Sequence, residues 1–166
     1  NEYAKSIIFD YSYRHFYTDG YGKDFSVLNI DVKNEYSEDQ NWLLLSASLL
    51  GYFEQLELFE RYHEELKEYN IEKPLWIFVG SRVISPGSNS LTADDKLSIS
   101  DVTRIIGFFK KVLAEPAKLQ LSIDDILAEN TGLRDSNGDD IFKHRFEYLR
   151  SEKPRAEIVL EKVFNG

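Results

Sequence analysis

Residues 74–81, Pro-Leu-Trp-Ile-Phe-Val-Gly-Ser, are the stretch that decides the predicted fold. The five residues from Leu75 to Val79 are all apolar, with Pro74 before them and Gly80 after them. A short apolar run between Pro and Gly is typical of a strand that is buried on both faces of a parallel sheet. We therefore expect an α/β fold that contains this strand.

Two further strands are predicted upstream of this run. Residues Lys5–Asp10 form a short apolar run rich in β-forming residues, and residues Phe25–Asp31 alternate loosely between apolar and polar side chains. Between them, Asp19-Gly20 marks a turn, because glycine adopts positive φ without strain.

Helices are predicted over most of the remaining chain. Ser37 and Gln40 have the spacing of a capping box, and apolar residues at helical spacing then predict a long amphipathic helix from about Glu38 to about Glu68. After a polar loop, the pattern predicts four more helices: one capped by Ser100 or Asp101 and ended by Pro116, one capped by Ser122 and Asp125, one that carries Ile141 to Leu149, and one that begins at Pro154. We expect two lobes, residues 1–72 and residues 73–166.

Composition limits the function classes. The net charge of -9 and the pI of about 4.9 repel phosphate, so binding to DNA by this chain alone is not expected. The chain has no cysteine, which argues for the cytoplasm, and neither a signal peptide nor a membrane-spanning run is predicted. It begins with Asn1 and contains no methionine, from which we expect a segment of a longer protein.

Several motif-like stretches are better explained as ordinary structure. Gly20–Asp24 lacks the first Gly and the Ser or Thr of a phosphate-binding loop. The segment 131–140, with Asp135, Asn137, Asp139 and Asp140, lacks the Gly and Glu positions of a calcium-binding loop and predicts a polar turn. The three histidines, at positions 15, 63 and 144, have no metal-site spacing. We predict no catalytic residue and no metal ligand.

Gly80, Ser81 and Arg82 are the candidate binding residues. They follow the predicted buried strand, and the carboxyl ends of parallel strands are where open α/β sheets bind ligands. Glycine lets the backbone approach a phosphate, Ser81 can donate a hydrogen bond, and Arg82 can contact two phosphate oxygens. The alternative is an ordinary strand exit with a surface arginine.

Four phrases of the sequence resemble the middle region of the DEAD/DEAH-type helicase (Res) subunit of type III restriction enzymes, in helicase superfamily 2. They are residues 5–25 (KSIIFDYSYRHFYTDGYGKDF), 70–83 (NIEKPLWIFVGSRV), 99–113 (ISDVTRIIGFFKKVL) and 131–150 (TGLRDSNGDDIFKHRFEYLR). The resemblance covers nearly the whole chain. It implies part of a RecA-like lobe, in which residues 75–79 would be the first strand of the second lobe and residues 1–72 the tail of the first lobe or an insertion.

The resemblance also implies an activity and partners for the parent protein. Such subunits hydrolyse ATP with Mg²⁺ to move along duplex DNA, and they act with a modification or specificity subunit. The nucleotide-binding motifs of the family lie outside this segment, so no ATP or Mg²⁺ ligand is expected here, and Gly80, Ser81 and Arg82 would be DNA-backbone contacts. The alternative is a structural or protein-interaction module without catalytic activity. Such a module would bind its partner through the long helix, which is rich in aromatic residues.

Overall fold

The computed structural model describes residues 11–21, 37–79 and 101–165, and 66% of these residues are helical. The helices are α1 (Tyr13–Thr18), α2 (Glu38–Arg61), α3 (His63–Leu66), a 3₁₀ turn (Lys67–Tyr69), α4 (Asp101–Ala114), α5 (Pro116–Leu127), α6 (Glu147–Glu152) and α7 (Ala156–Asn165). Within the described ranges there is no strand, and the one isolated bridge joins Arg134 to Asp140. The expected α/β fold with part of a RecA-like lobe is therefore wrong, because the fold seen here is all-α.

The long helix α2 begins where its capping box predicts. The Ser37 hydroxyl accepts a hydrogen bond from the backbone N–H of Gln40 at 3.2 Å, and the Gln40 side chain accepts one from the backbone N–H of Ser37 at 2.9 Å. Regular α-helix ends at Arg61, and α3 and the 3₁₀ turn then continue the path to Asn70, whose φ of 52° ends it. The predicted helix is confirmed over most of its length.

Residues 75–79 do not form the predicted buried strand. The segment is extended, but Leu75, Ile77 and Val79 are 78%, 69% and 92% exposed. The intervening Trp76 packs on helices instead: its ring stacks on Tyr52 of α2 at 5.4 Å, and its indole N–H donates to the Ser48 hydroxyl at 3.2 Å. An apolar run predicts burial, yet here alternate side chains face the helices and their neighbours face outward.

The core lies between α2, α5 and α7. Helix α2 packs against α5 and α7, α5 also packs against α7, and α4 packs against α5. The buried apolar residues on these helices are Trp42, Ala47, Leu49, Leu50, Phe53, Leu56, Phe108, Val112, Leu119, Ile123, Ile126, Ala156, Val159 and Leu160. Much of the apolar face of α2 is thus used inside the fold.

The helix boundaries after residue 100 differ in part from the predictions. Helix α4 spans the predicted range, but Pro116 is the first residue of α5, where its missing N–H is harmless. Ser122 lies inside α5 and is buried, so it is not a helix cap. Residues 141–144 form a turn, and α6 begins only at Glu147 because Phe146 has a φ of 56°.

The polar turn predicted at residues 131–140 is confirmed. The Asp135 carboxylate accepts from the backbone N–H groups of Asn137 and Asp139, and Gly138 has a φ of 83°. Asp140 is buried and accepts from the N–H and hydroxyl of Thr131 at 2.9 and 2.7 Å. These carboxylates therefore hold the loop in shape.

Other sequence predictions fall beyond what the structure describes. The predicted strands Lys5–Asp10 and Phe25–Asp31 lie outside the described residues. The stretch between them holds the predicted turn, with Gly20 at a φ of 84°, and also the short helix α1, which the sequence pattern did not predict. In the described ranges we find no helix with the length and apolar character to cross a membrane. The division of the chain at residue 72 stays a prediction.

Candidate functional site

The predicted site residues Gly80, Ser81 and Arg82 lie outside the described residues. The described chain stops just before them, at Val79. Their predicted contact with a DNA backbone therefore stays a prediction, and the structure directs attention to a different feature.

A groove of about 750 Å³ lies between the first two turns of α2 and the length of α4. Its described lining is mainly apolar, and Phe78 and Val79 of the extended segment close part of it. The groove exists because α4 packs along α5, while α2 packs on α5 and α7. The facing sides of α2 and α4 therefore meet only in part.

Two buried aromatic rings connect α2 to α4 beside the groove. Trp42 and Phe108 meet edge to face, with ring centroids 5.5 Å apart. The indole N–H of Trp42 donates to the buried hydroxyl of Ser122 at 2.9 Å, and the Lys118 ammonium lies 4.6 Å from the indole centroid. The hydrogen bond of the indole N–H and the nearby ammonium group both favour this orientation of the Trp42 ring.

The walls of the groove carry apolar side chains that reach solvent. Leu44 and Leu45 line it from α2, and Val102 and Ile106 line it from α4. Val102 and Ile106 are 66% and 53% exposed. The buried residues of α4 are Phe108 and Val112, which lie on another side of the helix. Helix α4 therefore has a second apolar stripe, which faces the groove.

An aromatic cluster fixes the extended segment at one side of the groove. The ring centroids of Trp76 and Phe78 are 4.5 Å apart, and both rings contact Phe109 of α4, at 5.7 and 5.8 Å. Phe109 in turn meets Phe164 of α7 at 5.5 Å. The position of Phe78 in the groove wall is thus coupled to the packing of α2, α4 and α7.

Charged side chains of both signs surround the apolar lining. Glu38 contributes from α2, and Asp101, Arg104 and Lys111 contribute from α4. Along α4 the negative charge of Asp101 is followed by the positive charges of Arg104 and Lys111, over ten residues or about 15 Å of helix. A groove with an apolar interior and a charged rim suits an amphipathic peptide segment better than a fully apolar small molecule.

The perturbed ionisable groups lie away from the groove and serve packing. Burial raises the pKa of the Glu54 carboxyl, and a hydrogen bond from the backbone of Leu149 acts in the opposite direction. Burial disfavours the charge of Lys162, but hydrogen bonds to two glutamates of α2, Glu57 and Glu60, outweigh it and raise the lysine pKa. These groups tie α2 to α6 and to α7.

A second ion pair stabilises the turn-rich connection before α6. The backbone N–H of His144 and the guanidinium of Arg150 both hydrogen-bond to Glu129 and lower the pKa of its carboxyl. In the described parts of the chain, no group of three or more His, Asp or Glu side chains could hold a metal ion. The most prominent feature of the described residues is thus the apolar groove with its charged rim.

Comparisons with protein-family models, with curated proteins and with solved structures found no match to this chain. The groove is therefore interpreted from its own geometry. Sequence reasoning missed it, although one signal was present: the apolar residues of α4, from Val102 to Leu113, occupy more of the helix surface than one core contact needs.

Proposed function

We propose that this chain is a non-catalytic helical scaffold segment in the motor subunit of an ATP-driven DNA translocase of the type III restriction class. In this role it holds a peptide segment of a neighbouring part of the assembly in the groove between α2 and α4. The single observation that carries the scaffold role is the groove, with its apolar interior and charged rim.

The groove suits docking for physical reasons. Its contact between Trp42 and Phe108 is preformed, so a partner segment would order few groove side chains on binding. Val102 and Ile106 offer apolar area that is already exposed. Covering such area gains about 25 cal/mol per Å², which favours an occupant with apolar side chains on one face.

The resemblance supplies the setting of the proposal. Residues 99–113, one of the four phrases that resemble the restriction helicase subunit, contain nearly all of α4. Residues 70–83, another of these phrases, contain the extended segment with Phe78 and Val79. The stretches that resemble the family therefore include two sides of the groove, which supports a role in assembling that kind of subunit.

The proposal places the chemistry elsewhere in the parent subunit. ATP and Mg²⁺ would be held by motifs that this sequence does not contain, and the cytoplasm is where such a subunit would act on duplex DNA. In the sequence, Gly80, Ser81 and Arg82 come directly after the groove residue Val79. They would contact the DNA backbone. Since the chain carries a net charge of -9, basic surfaces of other segments would supply most of the affinity for DNA.

The experiment is ATP hydrolysis by the full-length product of the encoding gene beside the 166-residue chain, each with and without duplex DNA. The proposal predicts DNA-stimulated turnover by the full-length product and none by the chain. A folded full-length product that hydrolyses no ATP under either condition would refute the motor assignment.

The second candidate is a protein-interaction module with no enzymatic parent, and the groove itself favours it. It shares the docking geometry with the first proposal but predicts no ATP turnover in any form of the protein. The same ATPase experiment therefore separates the two candidates, and the groove variants described below test the docking geometry that they share.

A further inference from the structure

The structure contains a cluster of exposed aromatic rings that the proposed function does not use. We call it the aromatic knob: Tyr11, Tyr13, Phe16, Tyr17 and Tyr21, on and beside α1. The five side chains are between 40% and 70% exposed. Their rings contact one another, for example Phe16 with Tyr21 at 5.7 Å and Tyr13 with Tyr17 at 6.2 Å.

We propose that the knob of one copy docks into the α2–α4 groove of a second copy, and that two chains exchange knobs reciprocally in a two-fold symmetric dimer. This inference rests on the groove of the proposed function and names its occupant. Aromatic residues are the side chains most enriched at the centres of protein interfaces. The same chain thus carries both an aromatic projection and an apolar recess.

The dimensions of the two surfaces agree. Helix α1 has six residues and is about 9 Å long, and the α4 side of the groove, from Asp101 to Lys111, is about 15 Å long. One short helix with its flanking rings therefore fits along the groove. The described residues that line the groove include none from 11–21, so in this structure the knob does not fill the groove of its own chain.

The charges of the two surfaces are complementary. On the knob, Arg14 lies near the start of α1 and Asp19 directly follows its end. On α4, Asp101 comes first and Arg104 and Lys111 follow. When α1 lies parallel to α4, its positive residue meets the negative end and its negative residue meets the positive residues. This pairing favours one orientation of the docked helix.

The contact area is that of a small specific interface. Five aromatic side chains of roughly 200 Å² each, about half exposed, present about 500 Å² of surface on each knob, which is more than one groove can cover. Limited by the size of the grooves, two knobs and two grooves would bury about 1,000 Å² in total, near the lower limit for a specific interface. Reciprocal exchange closes the assembly at two chains, because each copy then uses both its knob and its groove.

The test is sedimentation equilibrium of the full chain from micromolar to several hundred micromolar concentration. We expect a dimer of twice the 19.3 kDa chain mass. The knob variant Phe16→Asp and the groove variant Ile106→Glu should each weaken the dimer at least about 30-fold, the loss expected at the centre of an interface. The control Leu121→Glu changes an apolar residue of similar exposure outside the groove lining and should remain dimeric.

Mixing the two weakened variants gives the sharper test. A pair of Phe16→Asp and Ile106→Glu chains keeps one intact knob and groove contact, so the mixture should form heterodimers under conditions where each variant alone is monomeric. Circular dichroism would establish that both variants retain the helical content of the unsubstituted chain.

Three results would overturn the proposal: a chain that stays monomeric at every concentration, a Phe16→Asp chain that dimerises as well as the unsubstituted chain, or no heterodimer on mixing. A monomer in which the knob binds its own groove would give the first of these. The proposed function would survive all three, because it requires only that the groove hold a partner segment.

Discussion

Replacing Trp76 with alanine tests whether residues 75–79 pack on the helices through alternate side chains only. Most of the indole is buried against Tyr52, Phe78 and Phe109, and its N–H donates to Ser48. Burying most of a tryptophan side chain at about 25 cal/mol per Å² corresponds to about 3 kcal/mol. The hydrogen bond adds about 1 kcal/mol. We therefore expect Trp76→Ala to lower the free energy of unfolding by about 3–4 kcal/mol.

Two neighbours provide matched controls on the same segment. Ile77 and Val79 are 69% and 92% exposed, so Ile77→Ala and Val79→Ala should each cost less than about 0.5 kcal/mol. In a strand buried on both faces, Ile77→Ala would instead cost about 2–5 kcal/mol. The measurement is urea unfolding followed by far-UV circular dichroism. A cost for Ile77→Ala equal to that of Trp76→Ala would refute the one-sided packing.

Further predictions concern buried polar groups on α2 and α5. Ser122→Ala leaves the indole N–H of Trp42 without its acceptor and should cost about 1–3 kcal/mol in urea unfolding. Ser46→Ala should be neutral or stabilising by up to about 1 kcal/mol, because the buried Ser46 hydroxyl has no hydrogen-bond partner and alanine favours helix; a clear loss of stability would contradict this. Burial raises the pKa of Glu54. The ionised carboxylate therefore lowers the stability of the folded chain at pH values above this raised pKa. Below the ordinary glutamate pKa the cost is absent, because the group is then protonated in both the folded and the unfolded chain. Relative to the unsubstituted chain, Glu54→Gln should therefore gain stability as the pH rises from 4 to 7, and a difference that does not change with pH would exclude this account.

Local signals predicted the helices well because each depends on neighbours in the sequence. The capping box of Ser37 and Gln40 starts α2 where predicted, and the path through α3 and the 3₁₀ turn ends at Asn70, close to the predicted end. The predicted range of α4 is confirmed for the same reason. Ser122 was misassigned as a cap because its partner, Trp42, lies 80 residues away and is invisible to local spacing.

The prediction of a strand at residues 75–79 was wrong for a physical reason. The spacing of apolar residues does not show which elements they pack against. An unbroken apolar run fits a strand between two layers, and it equally fits an extended segment anchored by alternate rings. The ring of Trp76 finds its partners on α2 and α4, which are distant in sequence. The groove escaped prediction likewise, because it depends on how α4 is placed against α5 and away from α2.

The most direct test of the central claim is DNA-stimulated ATP hydrolysis by the full-length gene product carrying Ile106→Glu, compared with the product carrying Leu121→Glu. The account predicts that the groove variant loses at least about fivefold in stimulated turnover, the lower range of coupling between distant sites, while the control keeps the unsubstituted rate. Equal rates for both variants and the unsubstituted protein would contradict the claim that the α2–α4 groove holds the motor assembly together.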